Sequence, residues 1–230
     1  PTIERMGDSD GSGSLDPQSA AERGHAVSDQ PRLGSGHGHS KGRSYGTTAG
    51  LIAGDRSASQ LVVGVGYPYL SDLAVGNVVA DRLGKCQLPD VAVADCSHTP
   101  IAAYQTITVG EYDTVVIVGA RKRGDGLNTG TPSADPGRIH TYPTADVPVP
   151  EGDIVDRLAE CAMGSNTVEN VVITTKALGE FPPDSTVIDM EPEYDSWGLT
   201  VDEFSPAVAD RFDDLLDRVL DRLERDYSPE

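Results

Sequence analysis

The sequence predicts an α/β protein built on a mostly parallel sheet of about five strands. Three observations carry that expectation. Residues 60–94 read as strand, helix and strand; residues 114–118 are an unbroken apolar, β-branched run; and residues 208–223 carry an apolar stripe at helical spacing. A continuous β-branched run suits a strand covered on both faces, and strands alternating with helices give βαβ units with right-handed crossovers.

The elements follow in order. Residues 60–64 (QLVVG) form the first expected strand, and a helix is expected from Ser71, as its cap, to Gly84, as its stop. Val75, Val78, Val79 and Leu83 recur on one face of that helix. A second strand spans 91–94 and ends at Asp95; a short helical piece then leads to the third strand at 114–118. Residues 121–136 are Gly-rich and polar and read as a long loop, with 137–142 returning as an edge strand. Residues 167–178 have the Val, Ile and Thr content of a strand. Their apolar positions Val168, Val171, Val172 and Leu178 nevertheless fall at helical intervals, and Asn166 with Glu169 imitates a capping box, so a helix is expected. Residues 186–190 supply the last parallel strand. Thr200 with Glu203, or Ser205 with Pro206, starts a strongly amphipathic last helix through Val208, Phe212, Leu215, Leu216, Val219, Leu220 and Leu223.

Composition divides the chain. Residues 1–59 hold few large apolar side chains and many Gly, Ser, Asp and His, so they are expected to be a disordered tail. Residues 60–226 form the expected domain, and 227–230 a short C-terminal tail. Asp and Glu number 37 against 18 Lys and Arg, a net charge of -19 spread along the chain, which points to a salty cytoplasm where self-repulsion is screened. That balance argues against nucleic acid as a partner, since phosphates need a basic patch. No apolar run has membrane length and no signal peptide is visible; a cytoplasmic monomer is expected. Three cysteines, none in a CxxC spacing, fit a reducing compartment better than a disulfide framework.

Function in such a sheet gathers at the carboxyl ends of the strands. The candidate pocket is therefore Gly64, Gly66, Asp72, Asp95, Cys96, Ser97, His98 and Gly119. Gly64-Val65-Gly66 is a weak dinucleotide signal, because Tyr69 stands where the third glycine belongs; there is no Walker A, GxSxG or HExxH pattern. Arg121, Lys122 and Arg123 are the basic cluster near the strand ends, read first as a solvated loop face and second as a contact for an anion. His140 is expected to be exposed on the edge strand. His37 and His39, in a Gly-His-Gly-His stretch, offer at most a weak, unorganised nickel site.

Residues 62–76, VVGVGYPYLSDLAVG, resemble the opening of the hydrogenase-maturation endopeptidases, in which a strand leads into GxGNxLxxDEGxG. Gly64, Gly66, Leu70, Asp72 and Gly76 match. Asp95 falls where the family has a strand-ending Asp, and residues 179–200 follow its succession of G-x-x-P, last strand, P-E and G-L-[ST]. The resemblance spans 60–226. It implies a twisted sheet between helix layers, a three-layer α/β/α, phosphorylase/hydrolase-like architecture. It also implies an activity, the removal of a C-terminal peptide from a hydrogenase large-subunit precursor after nickel insertion.

The family's metal ligands do not carry over. They are a Glu after the motif Asp, an Asp ending the third strand and a His before the following helix; the aligned positions here are Leu73, Gly119 and Gly164. None bears an oxygen, imidazole or thiolate donor. Asp72, Asp95 and Cys161 are the residues from which a metal site could be rebuilt, nickel being the metal the resemblance implies; the competing readings are a helix-start Asp and a buried thiol. Two functions stand: a maturation protease with relocated ligands, or an inactive relative that binds a protein tail or small ligand. The second expects Asp72→Ala to be tolerated.

Overall fold

The computed structural model describes residues 50–68, 70–97, 100–123, 133–149, 152–163, 166–193 and 203–224. The strands are β1 (Leu51–Ala53), β2 (Gln60–Val65), β3 (Val91–Asp95), β4 (Thr114–Ala120), β5 (Ile139–Pro143) and β6 (Asp184–Met190). The helices are α1 (Val75–Cys86), α2 (Pro100–Val109), α3 (Asp153–Ala162), α4 (Val168–Leu178), α5 (Pro206–Ala209) and α6 (Phe212–Arg222). The sheet runs β1-β3-β2-β4-β6-β5. Its four inner strands are parallel, and both edges, β1 on β3 and β5 on β6, are antiparallel.

Alternation along the strands makes two cores. Leu61, Val63, Ala92, Val115, Ile117 and Val187 face one way and pack with α2 and α4; Val62, Val93, Val116, Val118 and Ile188 face α1 and α6. Burial on both faces explains the apolar run of β4, every one of whose residues from Val115 to Val118 is fully covered. The α/β class and the parallel sheet between helices are as the sequence predicts. Among the described residues no helix is long and apolar enough to cross a membrane.

Several boundaries differ from expectation. The sheet has a sixth strand, β1, inside the segment expected as tail. Leu51 and Ala53 pair with Ala94 and Val93, and Gly50 O accepts from Asp95 N, so ordered structure begins at least at Gly50 rather than Gln60. Three residues, two of intermediate burial around an exposed Ile52, carry too weak a pattern to register as a strand. Ser71 is no helix cap: it opens a 3-10 turn at φ +48 while its hydroxyl donates to Glu203 O at 2.9 Å. Gly84 does not stop α1, which runs to Cys86 and ends on Gln87 in the left-handed region. The helix at 168–178 forms, but its cap is Thr167, whose hydroxyl accepts from Asn170 N at 3.1 Å. Ser205 caps α5 with Pro206 in the first turn, as the sequence indicates, but the last helix breaks at Asp210 and Arg211 before α6. The alternative start at Thr200 lies outside the described residues, as does most of the loop expected at 121–136.

Candidate functional site

The chain passes from β2 to β3 on one side of β2 and then to β4 on the other. The crevice at this reversal lies at the carboxyl ends of β2 and β4, the position where open α/β sheets bind ligands. Val65, Gly66, Tyr67, Leu73, Ala120, Asn166, Thr167 and Val168 line it, around a cavity of about 10 Å³. That is room for about one water molecule. Among the described residues its walls bear no carboxylate, thiolate or imidazole.

Two glycines set how closely the walls approach. A β-carbon on Gly76 would strike the carbonyl oxygens of Val65 and Val118, so its absence lets the start of α1 rest on the sheet. A β-carbon on Gly119 would lie 2.5 Å from Val65 O and 2.6 Å from Val168 Cγ2. The first residue of α4 therefore fills the space into which a side chain at 119 would extend. Asn166, just before α4, is buried; its Nδ2 donates to Cys96 O at 2.5 Å and its backbone N–H to Tyr67 Oη at 2.6 Å. These bonds tie the ends of β2, β3 and α4 together.

The other residues singled out from sequence have settled, local roles. Asp72 is fully buried, and its two oxygens accept from Glu193 N at 2.9 Å and Ser205 N at 2.8 Å. It clamps the exit of β6 to the entry of α5. Asp95 Oδ1 accepts from Ser97 N at 3.1 Å and Asn77 Nδ2 at 3.2 Å, and Asn77 Nδ2 also donates to Ser97 Oγ. Cys96 is buried in the α2 core, where burial pushes its thiol up to about 12, with the Asp95 charge adding to that and Thr106 opposing it. Cys161 sits on α3, its Sγ 3.9 Å from Thr174 Oγ1 of α4. Gly64 and Gly66 line the strand end by backbone alone. His98 and Gly164 lie outside the described residues. Among the described residues no three of His, Cys, Asp and Glu come together as metal ligands, so Asp72, Asp95 and Cys161 do not form one site.

With this geometry in view, solved structures give a match. An endopeptidase from Escherichia coli is 22% identical with a TM-score of 0.52, over 72% of this chain and 91% of that one. The NiFe hydrogenase maturation protease HycI from Thermococcus kodakarensis KOD1 is 20% identical with a TM-score of 0.50, over 73% of this chain and 94% of that one. The fold is that of the hydrogenase maturation proteases. No protein-family model matches the chain, and no curated protein does so.

Nickel, which the sequence resemblance to these proteases implies, does not fit the crevice. Leu73 presents an alkyl chain, and Gly119 no side chain, with Val168 over it. Among the described residues these walls offer a borderline divalent ion no carboxylate, imidazole or thiolate.

The polar groups are instead one strand over. Asp189 of β6 stands beside Gly119 in register on one side and beside His140 of β5 on the other. It is fully buried and takes both ends of the Arg123 guanidinium, at 2.8 and 3.2 Å, together with the Tyr142 hydroxyl at 2.5 Å. Tyr142 Oη accepts from Arg121 NH1 at 2.9 Å, and Arg121 NH2 reaches Glu169 Oε1 of α4 at 3.4 Å. Burial first, then the Asp189 charge, push the Tyr142 phenol up, so it stays a donor. His140 Nε2 lies 2.8 Å from Oε1 of the buried Glu191, whose Oε2 has no hydrogen-bond partner among the described residues. Arg121 and Arg123 are thus half-buried and anchored rather than a solvated face, and His140 is part-buried against Glu191 rather than exposed. The sequence signal for this cluster is the Arg-Lys-Arg run after β4, together with Asp189 as a lone charge inside an otherwise apolar strand end.

Proposed function

We propose that the chain is a divergent member of the hydrogenase-maturation-protease family that keeps the fold and no longer performs nickel-directed cleavage. In this reading it acts as a binding protein for a peptide tail, of which the tail of a hydrogenase large-subunit precursor is the first to test. The supporting observation is the packing at the crevice, where Val168 covers Gly119 and Leu73 replaces the expected carboxylate. Strand-end placement favours a binding role, because the fold delivers its loops there whether or not a metal is held. The acidic surface fits a cytoplasm of high salt, as its charge of -19 needs screening. A monomer is the expected state.

The second reading, a protease with relocated ligands, draws on the shared fold, on Asp189 of β6 beside Gly119 with Glu191 just past the end of that strand, and on His140 of β5 beyond them. Against it, Asp189 is committed to Arg123 and Tyr142, and Glu191 to His140. The test incubates the purified chain with a nickel-loaded large-subunit precursor and follows both association and truncation. Association without truncation supports the binding reading. Truncation that stops in Asp189→Ala or His140→Ala would establish the second.

A further inference from the structure

We propose that Arg121 and Arg123 form an oxyanion-binding face at the carboxyl end of β4, one that takes a carboxylate or phosphate group. The inference rests on the binding reading above and names the chemistry its ligand presents. Both guanidiniums belong to one chain of hydrogen bonds, Glu169–Arg121–Tyr142–Asp189–Arg123, in which the Tyr142 hydroxyl and the buried Asp189 carboxylate join them. Each arginine uses two of its five N–H donors in these bonds. Each side chain is 29% exposed, so neither arginine is sealed from solvent. The Arg121 guanidinium also lies 5.8 Å from the centre of the Tyr142 ring.

Fixing the arginines beforehand matters because ordering a long side chain is a main cost of binding one. Planar forks held this way suit two- and three-oxygen acceptors. Asp189 and Glu169 balance the two positive charges, so the face recognises an anion through directed donors rather than net charge. In a chain of charge -19, that is the form of anion recognition that survives high salt. The carboxylate of a peptide tail and a phosphate group both meet these requirements.

The experiment uses the full chain in KCl at constant ionic strength, titrated separately with inorganic phosphate and with acetate. The readouts are the arginine Nε–H resonances and the unfolding midpoint. A saturable response to either anion, weakened by about tenfold in Arg121→Lys or Arg123→Lys and kept in the remote Arg82→Lys, supports the face; tenfold is the worth of one charge-assisted hydrogen bond. Response to acetate alone assigns a carboxylate ligand, and to phosphate alone a phosphorylated one. No saturable response in the unsubstituted chain, or one that both lysine variants retain, overturns it. Should Arg123→Lys unfold, Arg121→Lys, whose Glu169 contact is 3.4 Å, decides alone. Nickel-dependent truncation of a precursor would defeat the binding reading without altering the anion titration, so the two failures are separable.

Discussion

Val168 stands over Gly119: its Cγ2 lies 2.6 Å from where a β-carbon at 119 would be, and the Val65 carbonyl lies 2.5 Å away on another side. The pair joins the start of α4 to the end of β4 at the point where the fold turns back on itself. The absence of a side chain at 119 and the closure of the space beside it are here one packing arrangement.

Restoring the carboxylate should therefore fail. Gly119→Asp pushes a side chain against a backbone oxygen that cannot swing away, and overpacking of this kind costs about 1–3 kcal/mol. We expect a lower denaturation midpoint and no gain of nickel affinity, measured by urea unfolding and calorimetric titration. Adding Val168→Ala should recover part of the lost stability. A stable, nickel-binding Gly119→Asp protein would show that the crevice is open.

Asp72→Ala should destabilise the protein rather than be tolerated. It strips the acceptors from the Glu193 and Ser205 amides, and each donor left without a partner in a buried setting costs about 1–3 kcal/mol. Chemical denaturation checks this, with Asp72→Asn expected to recover part of the loss through its one remaining oxygen. An Asp72→Ala variant that loses a function thus reports on the β6–α5 clamp, not on a metal. Unchanged stability would mean that water replaces the carboxylate.

These two residues also show how far the sequence carries. The parallel sheet, the helical stripe of α6 and the resistance of 168–178 to its β-rich composition were legible because burial imposes a period on side chains. Gly119 and Leu73 were legible as positions without a metal-donor side chain. That Val168 fills the gap was not, because a helix start meets a strand end only in three dimensions. Asp72 read as a motif residue, yet its partners are 121 and 133 residues away in the chain and are backbone amides, which leave no mark on a sequence. Asp189 was hidden for the opposite reason: a single charge within residues 186–190 looks like noise until β5 brings Tyr142 beside it.

Cys96 should resist alkylation at about pH 8 while the half-exposed Cys86 reacts, since the thiolate is the nucleophile. Burial raises the Cys96 thiol from 9.0 to about 12, so the folded state keeps its proton where the unfolded state releases it. The unfolded chain then binds fewer protons, and this group lowers stability as pH rises above 9.0, the loss levelling off near 12. Peptide mapping after iodoacetamide gives the first result. Comparing the alkaline stability of the parent with that of Cys96→Ala gives the second: the variant should show the shallower fall.

Stability should rise from dilute buffer to molar KCl. At about 1 M the Debye length is ~3 Å, short enough to screen most repulsion within a surface of charge -19. Thermal unfolding across a KCl series, with sucrose as an uncharged control, checks it. A midpoint that is flat in KCl would remove the salt-adaptation reading.

The central claim is that the crevice between β2 and β4 holds no nickel, and calorimetric titration tests it most directly. The protein should be the full chain carrying His37→Ala and His39→Ala, because cutting at Ser59 would remove β1 along with the tail histidines. In molar KCl we predict no saturable binding up to millimolar nickel. Stoichiometric, tight binding that disappears in Asp189→Ala or His140→Ala would contradict the account and restore a metal-directed protease.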